Sequence, residues 1–169
     1  MKQKFRIILA LLFIALIAVL SKNIYFKIQA KSVLQKTISD LPDFTLTTAL
    51  DNEPFRSTIF KNSNDTILIN FFSPTCEHCQ YMASSFIKNK EQLQNVKIVM
   101  VTIDDSISVA KFKKDYQLNI MPNVLLLRDT KFQFEKIFGT SVVPSFFLYV
   151  NGKLKKRIIG ETKIENLLG

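Results

Sequence analysis

Cys76 and Cys79 are the residues whose type and spacing most directly suggest chemistry. They are the only cysteines in the sequence, so the chain has no disulfide framework. Two cysteines separated by two residues can form a reversible disulfide or supply two ligands to a metal. A structural zinc site needs about four ligands, and the single histidine, His78, leaves the set one short unless carboxylates help. The pattern therefore favours a redox couple without a metal.

The residues around the couple predict a strand that leads into a helix. An apolar, β-branched run at Ile67–Ile69 precedes the cysteines, and apolar residues at helical spacing follow them. We expect the strand over Thr66–Phe72 and the helix over Cys76–Leu93. In the first turn, free backbone N–H groups and the helix dipole would stabilise a thiolate, so Cys76 is the predicted nucleophile. Cys79 lies one turn later on the same face and is the predicted resolving thiol.

The other elements predict an α/β domain. Alternating residues at Asp43–Thr48 and the run Phe55–Ile59 indicate an N-terminal β-hairpin. Near-continuous apolar runs at Lys97–Ile103 and Asn123–Leu127 are typical of buried parallel strands. The remaining expected elements are helices through 107–118, Lys131–Phe138 and Ile164–Leu168, and a hairpin of Ser145–Val150 and Leu154–Ile159. Strands that alternate with helices and close on a hairpin predict a mixed central sheet flanked by helices.

The N-terminal residues predict attachment to a membrane. Residues 1–40 carry seven Lys and Arg against one acidic residue, so the basic charge lies mostly beside an apolar run from Ile7 to Ser21. This arrangement favours a membrane rather than a nucleic acid as the partner. A cleaved signal peptide would show the same layout, and we expect an uncleaved signal-anchor instead because Val19-Leu20-Ser21 is a weak cleavage site.

The predicted organisation has three parts. They are a transmembrane segment at 1–26, a stalk at 27–40 and a globular domain at 41–169. The early position of the apolar run predicts export of the bulk of the chain. The expected location is a single pass through the bacterial inner membrane, with the domain on the periplasmic or extracytoplasmic side.

Three stretches in the same order resemble the thioredoxin fold, in the TlpA/ResA-like branch of membrane-anchored thiol–disulfide oxidoreductases within the redoxin superfamily. They are Pro42–Leu46, Leu68–Cys79 and Phe138–Leu148, the last followed by Asn151-Gly152. The resemblance extends from Pro42 to the C-terminus. It implies a thioredoxin fold and no bound cofactor. The implied partners are cysteine-containing exported proteins or apocytochromes, and a membrane or extracytoplasmic thiol donor or acceptor of electrons.

The resemblance also implies roles for residues outside the couple. A cis peptide between Val143 and Pro144 would face the sulfurs, and the backbone of Val143 would meet the substrate. Thr75 stands in place of a tryptophan common in the family, so the surface beside the nucleophile is smaller and more polar. Asn70 replaces a buried aspartate of many thioredoxins, and Met82 replaces a glutamate of several reductants. Neither carboxylate is therefore available to assist the resolving thiol.

Two residues between the cysteines would tune the couple in opposite directions. A charged or hydrogen-bond-donating His78 would stabilise the thiolate of Cys76 and make the couple more oxidising. The carboxylate of Glu77 would disfavour that thiolate. Asn70, on the preceding strand, either tunes the site or only supplies structural hydrogen bonds. The direction of the reaction stays open between reduction and oxidation.

Two alternative functions compete with the oxidoreductase. A peroxiredoxin-like peroxidase would need a Pro-x-x-x-Thr-x-x-Cys pattern, and Pro74 and Thr75 are too close to Cys76 for it. A copper-handling, redoxin-like chaperone could use Cys76, Cys79 and His78, because thiolates suit Cu(I). Chaperones of that type usually space their cysteines more widely, and no second histidine is present.

Overall fold

The computed structural model describes residues 17–22, 24, 25, 29, 33–61 and 63–168. The chain divides into two compact units, Met1–Lys36 and Thr37–Gly169. Within the described residues, no helix has the length and apolar character needed to span a membrane. Most of the predicted transmembrane segment 1–26 and part of the stalk 27–40 lie outside the described residues, so membrane attachment stays a prediction.

The larger unit is built on a seven-stranded sheet with helices in the connections. The strands are β1 (Thr45–Thr48), β2 (Pro54–Arg56), β3 (Thr66–Phe71), β4 (Val96–Thr102), β5 (Val124–Arg128), β6 (Ser145–Val150) and β7 (Lys153–Ile159). The helices are α1 (Glu77–Lys88), α2 (Ser106–Asp115), α3 (Phe134–Phe138) and α4 (Ile164–Leu168), with 3₁₀ turns at Ser57–Phe60 and Leu118–Ile120. Across the sheet the order is β2-β1-β5-β4-β3-β6-β7.

The middle of the sheet determines where the cysteines lie. β3, β4 and β5 run parallel, and β6 runs antiparallel to β3. β3 and β4 are buried along nearly their whole length, as expected for parallel strands covered on both faces. Phe71 at the end of β3 pairs with Ser145 at the start of β6. The register therefore brings the loop that carries Cys76 to the same edge as Pro144.

Aromatic side chains pack against both faces of the sheet. Phe146 and Phe147 follow one another on β6, so they point to opposite faces. The Phe147 ring packs against Phe134 and Phe138 of α3, with centroid distances of 6.0 and 4.8 Å. The Phe146 ring contacts Phe86 of α1 edge-on at 6.4 Å. Helices α1 and α3 therefore cover opposite faces, and the Phe86–Phe146 contact packs the cysteine-bearing α1 against the sheet.

The predicted α/β architecture is confirmed, with a mixed sheet, flanking helices and an antiparallel β1–β2 hairpin ahead of the core. The second strand of that hairpin is shorter than predicted, because a 3₁₀ turn replaces its end at Ser57–Phe60. The Ser57 hydroxyl accepts a hydrogen bond from the Phe44 backbone N–H and donates one to the Pro42 carbonyl. These bonds satisfy the backbone of the preceding segment and bend the chain there.

Three predicted helix boundaries are wrong. α2 ends at Asp115 rather than at residue 118, because Leu118 begins a separate 3₁₀ turn. α1 ends at Lys88 rather than Leu93, and the following residues form turns. Leu93 is fully buried, so it is apolar because it packs in the core rather than because the helix continues. The segment predicted as a helix over Lys131–Phe138 becomes helical only at Phe134, whose backbone N–H donates to the Asp129 carboxylate at 2.7 Å. That bond satisfies an N–H at the start of α3.

Candidate active site

The loop between β3 and α1 places Cys76 at the start of the helix. Cys76 is the N-cap residue of α1 and has an extended backbone, with φ −82° and ψ 117°. Its backbone N–H donates to the Ser73 carbonyl at 3.2 Å. The Gln80 side-chain amide donates to the Pro74 carbonyl at 2.9 Å, which ties the loop to the first turn of the helix. The sequence predicts Cys76 in the first helical turn, and the structure places it one residue earlier, next to the first-turn N–H groups that lack helical partners.

The sulfur of Cys76 lies against the loop before β6. Its Sγ is 3.9 Å from the carbonyl oxygen of Val143, a distance at which a thiol can donate a weak hydrogen bond. The Val143–Pro144 peptide bond is cis, as the resemblance implies. Cys76 is half-buried, whereas Thr75 beside it is exposed. Cys76, Val143 and Thr75 therefore share one accessible region of the surface, and their predicted part in substrate docking stays a prediction.

Cys79 lies one helical turn further on and is only 2% exposed. Burial, which disfavours the charged thiolate, raises the pKa of Cys79 from 9.0 to about 12. The Ser73 backbone N–H opposes this shift by donating to the sulfur, while Cys76 and the carboxylate of Asp104 add to it. Both cysteines are free thiols. The two sulfurs are therefore unequal, with one accessible and the other held in the protonated form.

His78 is directed to a partner that the sequence did not indicate. Its Nδ1 lies 2.7 Å from the Glu161 carboxylate, and the two side chains are 70% and 39% exposed. Glu161 follows β7, 83 residues later, so no local pattern could pair it with His78. Glu77 is exposed in the first turn of α1. The expected tuning of Cys76 by His78 and Glu77 stays a prediction, and Glu161 must now be included in it.

Asn70 and Met82, which stand where the resemblance leads us to expect carboxylates, are both buried. Asn70 is 1% exposed, and its side-chain amide donates to the carbonyl oxygens of Phe71 and Ser145 at 3.3 and 3.2 Å. These bonds link the end of β3 to the start of β6, which agrees with a structural role. Met82 is 1% exposed and packs in the same core cluster as Cys79.

Asp104 is the residue near the couple that sequence reasoning missed. It follows the carboxyl end of β4, and its carboxylate accepts a hydrogen bond from the Thr102 hydroxyl at 2.7 Å. Parallel strands have their carboxyl ends at one common edge of a sheet. This rule could have predicted that Asp104 lies beside Cys79. Within the described residues, no group of three or more metal-ligating side chains is arranged to hold an ion.

Comparison with known proteins gives a family for the larger unit. Residues 46–141 match the model of the thioredoxin family. A protein disulfide-isomerase of Saccharomyces cerevisiae, MPD1, is 32% identical over 76 residues. Those residues are 44% of this chain and 24% of that protein, so the match covers about a quarter of the relative's length.

Solved structures have the same fold. A secreted Mycobacterium tuberculosis disulfide oxidoreductase homologous to E. coli DsbE is 20% identical, with a TM-score of 0.60 over 76% of this chain and 88% of that one. StoA from Bacillus subtilis is 20% identical, with a TM-score of 0.57 over 76% and 96%. The thioredoxin domain of a thiol-disulfide oxidoreductase from Bacteroides vulgatus is 17% identical, with a TM-score of 0.59 over 77% and 91%. The thioredoxin family model matches more than half of the residues, and this chain therefore belongs to the thioredoxin family.

Proposed function

We propose that this protein is a membrane-tethered, extracytoplasmic thiol–disulfide oxidoreductase that acts on the cysteines of exported proteins. The observation that carries the proposal is the inequality of the two sulfurs. Cys76 is accessible at the start of α1, whereas Cys79 is buried one turn further on. An accessible sulfur can attack a partner, and a buried neighbour can only react with what the first sulfur has captured.

The reaction in the reducing direction has two exchanges. The Cys76 thiolate attacks a substrate disulfide, forming a mixed disulfide and releasing one substrate sulfur as a thiolate that takes up a proton. Cys79 then loses its proton and attacks the Cys76 sulfur, which forms the Cys76–Cys79 disulfide and releases the second substrate thiol. Two electrons and two protons pass to the substrate, and no bound cofactor takes part. The oxidising direction is the reverse of these exchanges.

Substrate docking is assigned to the surface beside Cys76. The carbonyl of Val143 already faces the Cys76 sulfur, so a bound polypeptide could pair its own backbone with that of Val143. Pro144 gives the loop its shape and has no N–H to compete for the same acceptor. The exposed Thr75 supplies a small polar wall in place of a large ring.

Tethering and location rest on the N-terminal sequence. Three basic residues before Ile7 and the uncharged run to Ser21 support a signal-anchor. One relative of known structure is described as secreted, which agrees with an extracytoplasmic domain. Partners would then be cysteine-containing exported proteins or apocytochromes, with a membrane or extracytoplasmic thiol protein as donor or acceptor of electrons.

Trapping of mixed disulfides tests the proposal. A full-length Cys79→Ser variant expressed in membranes should accumulate adducts on Cys76, because the second exchange is blocked. Mass spectrometry of the adducts should identify exported proteins, and a Cys76→Ser variant is the matched control that should capture none. If Cys79→Ser captures nothing while the wild-type protein binds Cu(I) tightly, copper handling replaces the oxidoreductase function. Rapid consumption of peroxide by the dithiol would instead support the peroxidase.

Separate measurements determine direction and topology. A reduction potential near about −270 mV would indicate a reductant, and one near about −120 mV an oxidant. Protease added to intact spheroplasts should remove the domain, and protection of the domain would contradict the proposed location.

A further inference from the structure

A cavity of about 280 Å³ opens beside the two cysteines, at the carboxyl ends of the parallel strands. Ser73 and Val143 line it, and both also contact the couple: Ser73 through the Cys79 sulfur and Val143 through the Cys76 sulfur. Its size lies near the lower limit of small-molecule pockets, about 300 Å³, which suits a single long side chain. Anything bound in the cavity would therefore sit next to a partner's reacting sulfur.

The walls of the cavity are mostly aromatic. Phe71, Phe72 and Phe134 contribute buried rings, and Phe132 lies at the rim with 64% of its surface exposed. An exposed phenylalanine beside a cavity offers both apolar contact and a ring face to a cation. These walls suit the aliphatic part of a side chain rather than a hydrated ion.

Three carboxylates interrupt the apolar walls, and no basic residue is among the residues that line the cavity in the described part of the chain. Asp129 is fully buried, and only one of its oxygens is used, by the Phe134 N–H. The other, Oδ1, has no hydrogen-bond partner within the described residues. Asp104 and Glu135 lie nearer to solvent. A buried carboxylate oxygen without a donor is costly, and a charged donor reaching it would be strongly favoured.

We propose that this cavity binds a lysine or arginine side chain of the substrate polypeptide, located close in sequence to the cysteine that Cys76 attacks. The inference rests on the proposed function and specifies the substrates of the same site. The aliphatic stem of the basic side chain packs on the phenylalanines, and its charged end lies near Asp104 and Glu135. Because Asp129 is fully buried, its Oδ1 accepts a hydrogen bond from that end only after neighbouring side chains shift on binding. Cationic side chains are the class that matches apolar walls interrupted by three carboxylates and two serine hydroxyls, with no basic residue among the described lining residues.

Single-turnover kinetics with synthetic peptides test this proposal. Matched peptides contain one cysteine activated as a mixed disulfide with thionitrobenzoate, and lysine, norleucine or glutamate is placed in turn at each flanking position. The Cys79→Ser protein is used, so that only the first exchange is observed, as release of the coloured leaving group. We expect the lysine peptide to react about tenfold faster than the norleucine peptide at the best position, and the glutamate peptide to react slowest. The preference should shrink at high salt.

Substitutions in the cavity show whether the preference arises there. Glu135→Gln combined with Asp104→Asn, and separately Asp129→Asn, should reduce the ratio of the lysine to the norleucine rate towards one. The double variant of Glu135 and Asp104 keeps the proposal testable if the Asp129→Asn protein does not fold. Glu91→Gln removes an exposed carboxylate elsewhere and should leave the ratio unchanged.

The outcomes separate the two proposals. Equal rates for lysine and norleucine at every position, or a preference that the cavity variants keep, would overturn the cavity's role and leave the oxidoreductase intact. Failure of every peptide to form an adduct with Cys76 would overturn the oxidoreductase proposal and this inference together.

Discussion

The reduced protein should lose stability in alkaline solution because Cys79 is buried, and Cys79→Ala should remove that loss. Burial raises the pKa of Cys79 from 9.0 to about 12. A group whose pKa is higher in the folded state stabilises the fold fully below pH 9, and this contribution falls as the pH rises towards 12. At about 1.36 kcal/mol for each tenfold change in the dissociation constant, the whole effect is about 4 kcal/mol. Cys76 is half-buried, so solvent beside it screens part of this effect on Cys79. We therefore expect the free energy of unfolding to fall by about 2–4 kcal/mol.

Urea unfolding at pH 8 and pH 11 measures this effect on the reduced chain, kept reduced with a phosphine. Between these values the free energy of unfolding should fall by about 1–3 kcal/mol more in the wild type than in Cys79→Ala. Burial also raises the pKa of Tyr149, but that titration occurs in both proteins and cancels in the comparison. Lost packing lowers the stability of Cys79→Ala by the same amount at each pH. Parallel falls in the two proteins would show that burial does not hold Cys79 as a thiol.

Three further substitutions test contacts around the site and in the core. Asn70→Asp should lower the free energy of unfolding by about 1–3 kcal/mol at pH 7, because a carboxylate would face the Ser145 carbonyl. This loss of stability should shrink as the pH falls, because the protonated carboxyl can donate a hydrogen bond. Tyr149→Phe should cost about 1–3 kcal/mol in urea unfolding, because the buried Tyr149 hydroxyl donates to the Ile38 carbonyl at 3.0 Å, and a cost near zero would contradict that bond. His78→Ala should make the reduction potential more negative by up to about 30 mV, and an unchanged potential would show that this imidazole does not act on the thiolate.

The main elements of the fold could be predicted because their signals are local. The apolar runs of β3 and β4, the Asn151-Gly152 turn and the helical spacing after Cys79 each specify one element from neighbouring residues. The end of α1 could not be predicted in the same way. Leu93 continues the apolar pattern, but it is buried through contacts that form after the helix has ended.

The candidate site could be predicted only in part, for the same reason. The two cysteines and their places on α1 follow from one short stretch of sequence. Asp104, Asp129 and Glu161 approach the site from three other segments of the chain, and their contacts depend on strand order and register. A pattern within a short window contains no information on contacts of that kind.

In the proposed mechanism, Cys76 is the attacking thiol and Cys79 the resolving thiol. Alkylation of the reduced wild-type protein at pH 7 with less than one equivalent of iodoacetamide tests this assignment most directly. Tandem mass spectrometry of the peptide that contains both cysteines then measures how much label each sulfur carries. A pKa of about 12 leaves Cys79 with about a thousandfold less thiolate than an ordinary cysteine. We therefore expect label on Cys76 to exceed label on Cys79 by at least about a hundredfold. Comparable labelling of the two sulfurs, or more on Cys79, would contradict the assignment of Cys76 as the attacking sulfur.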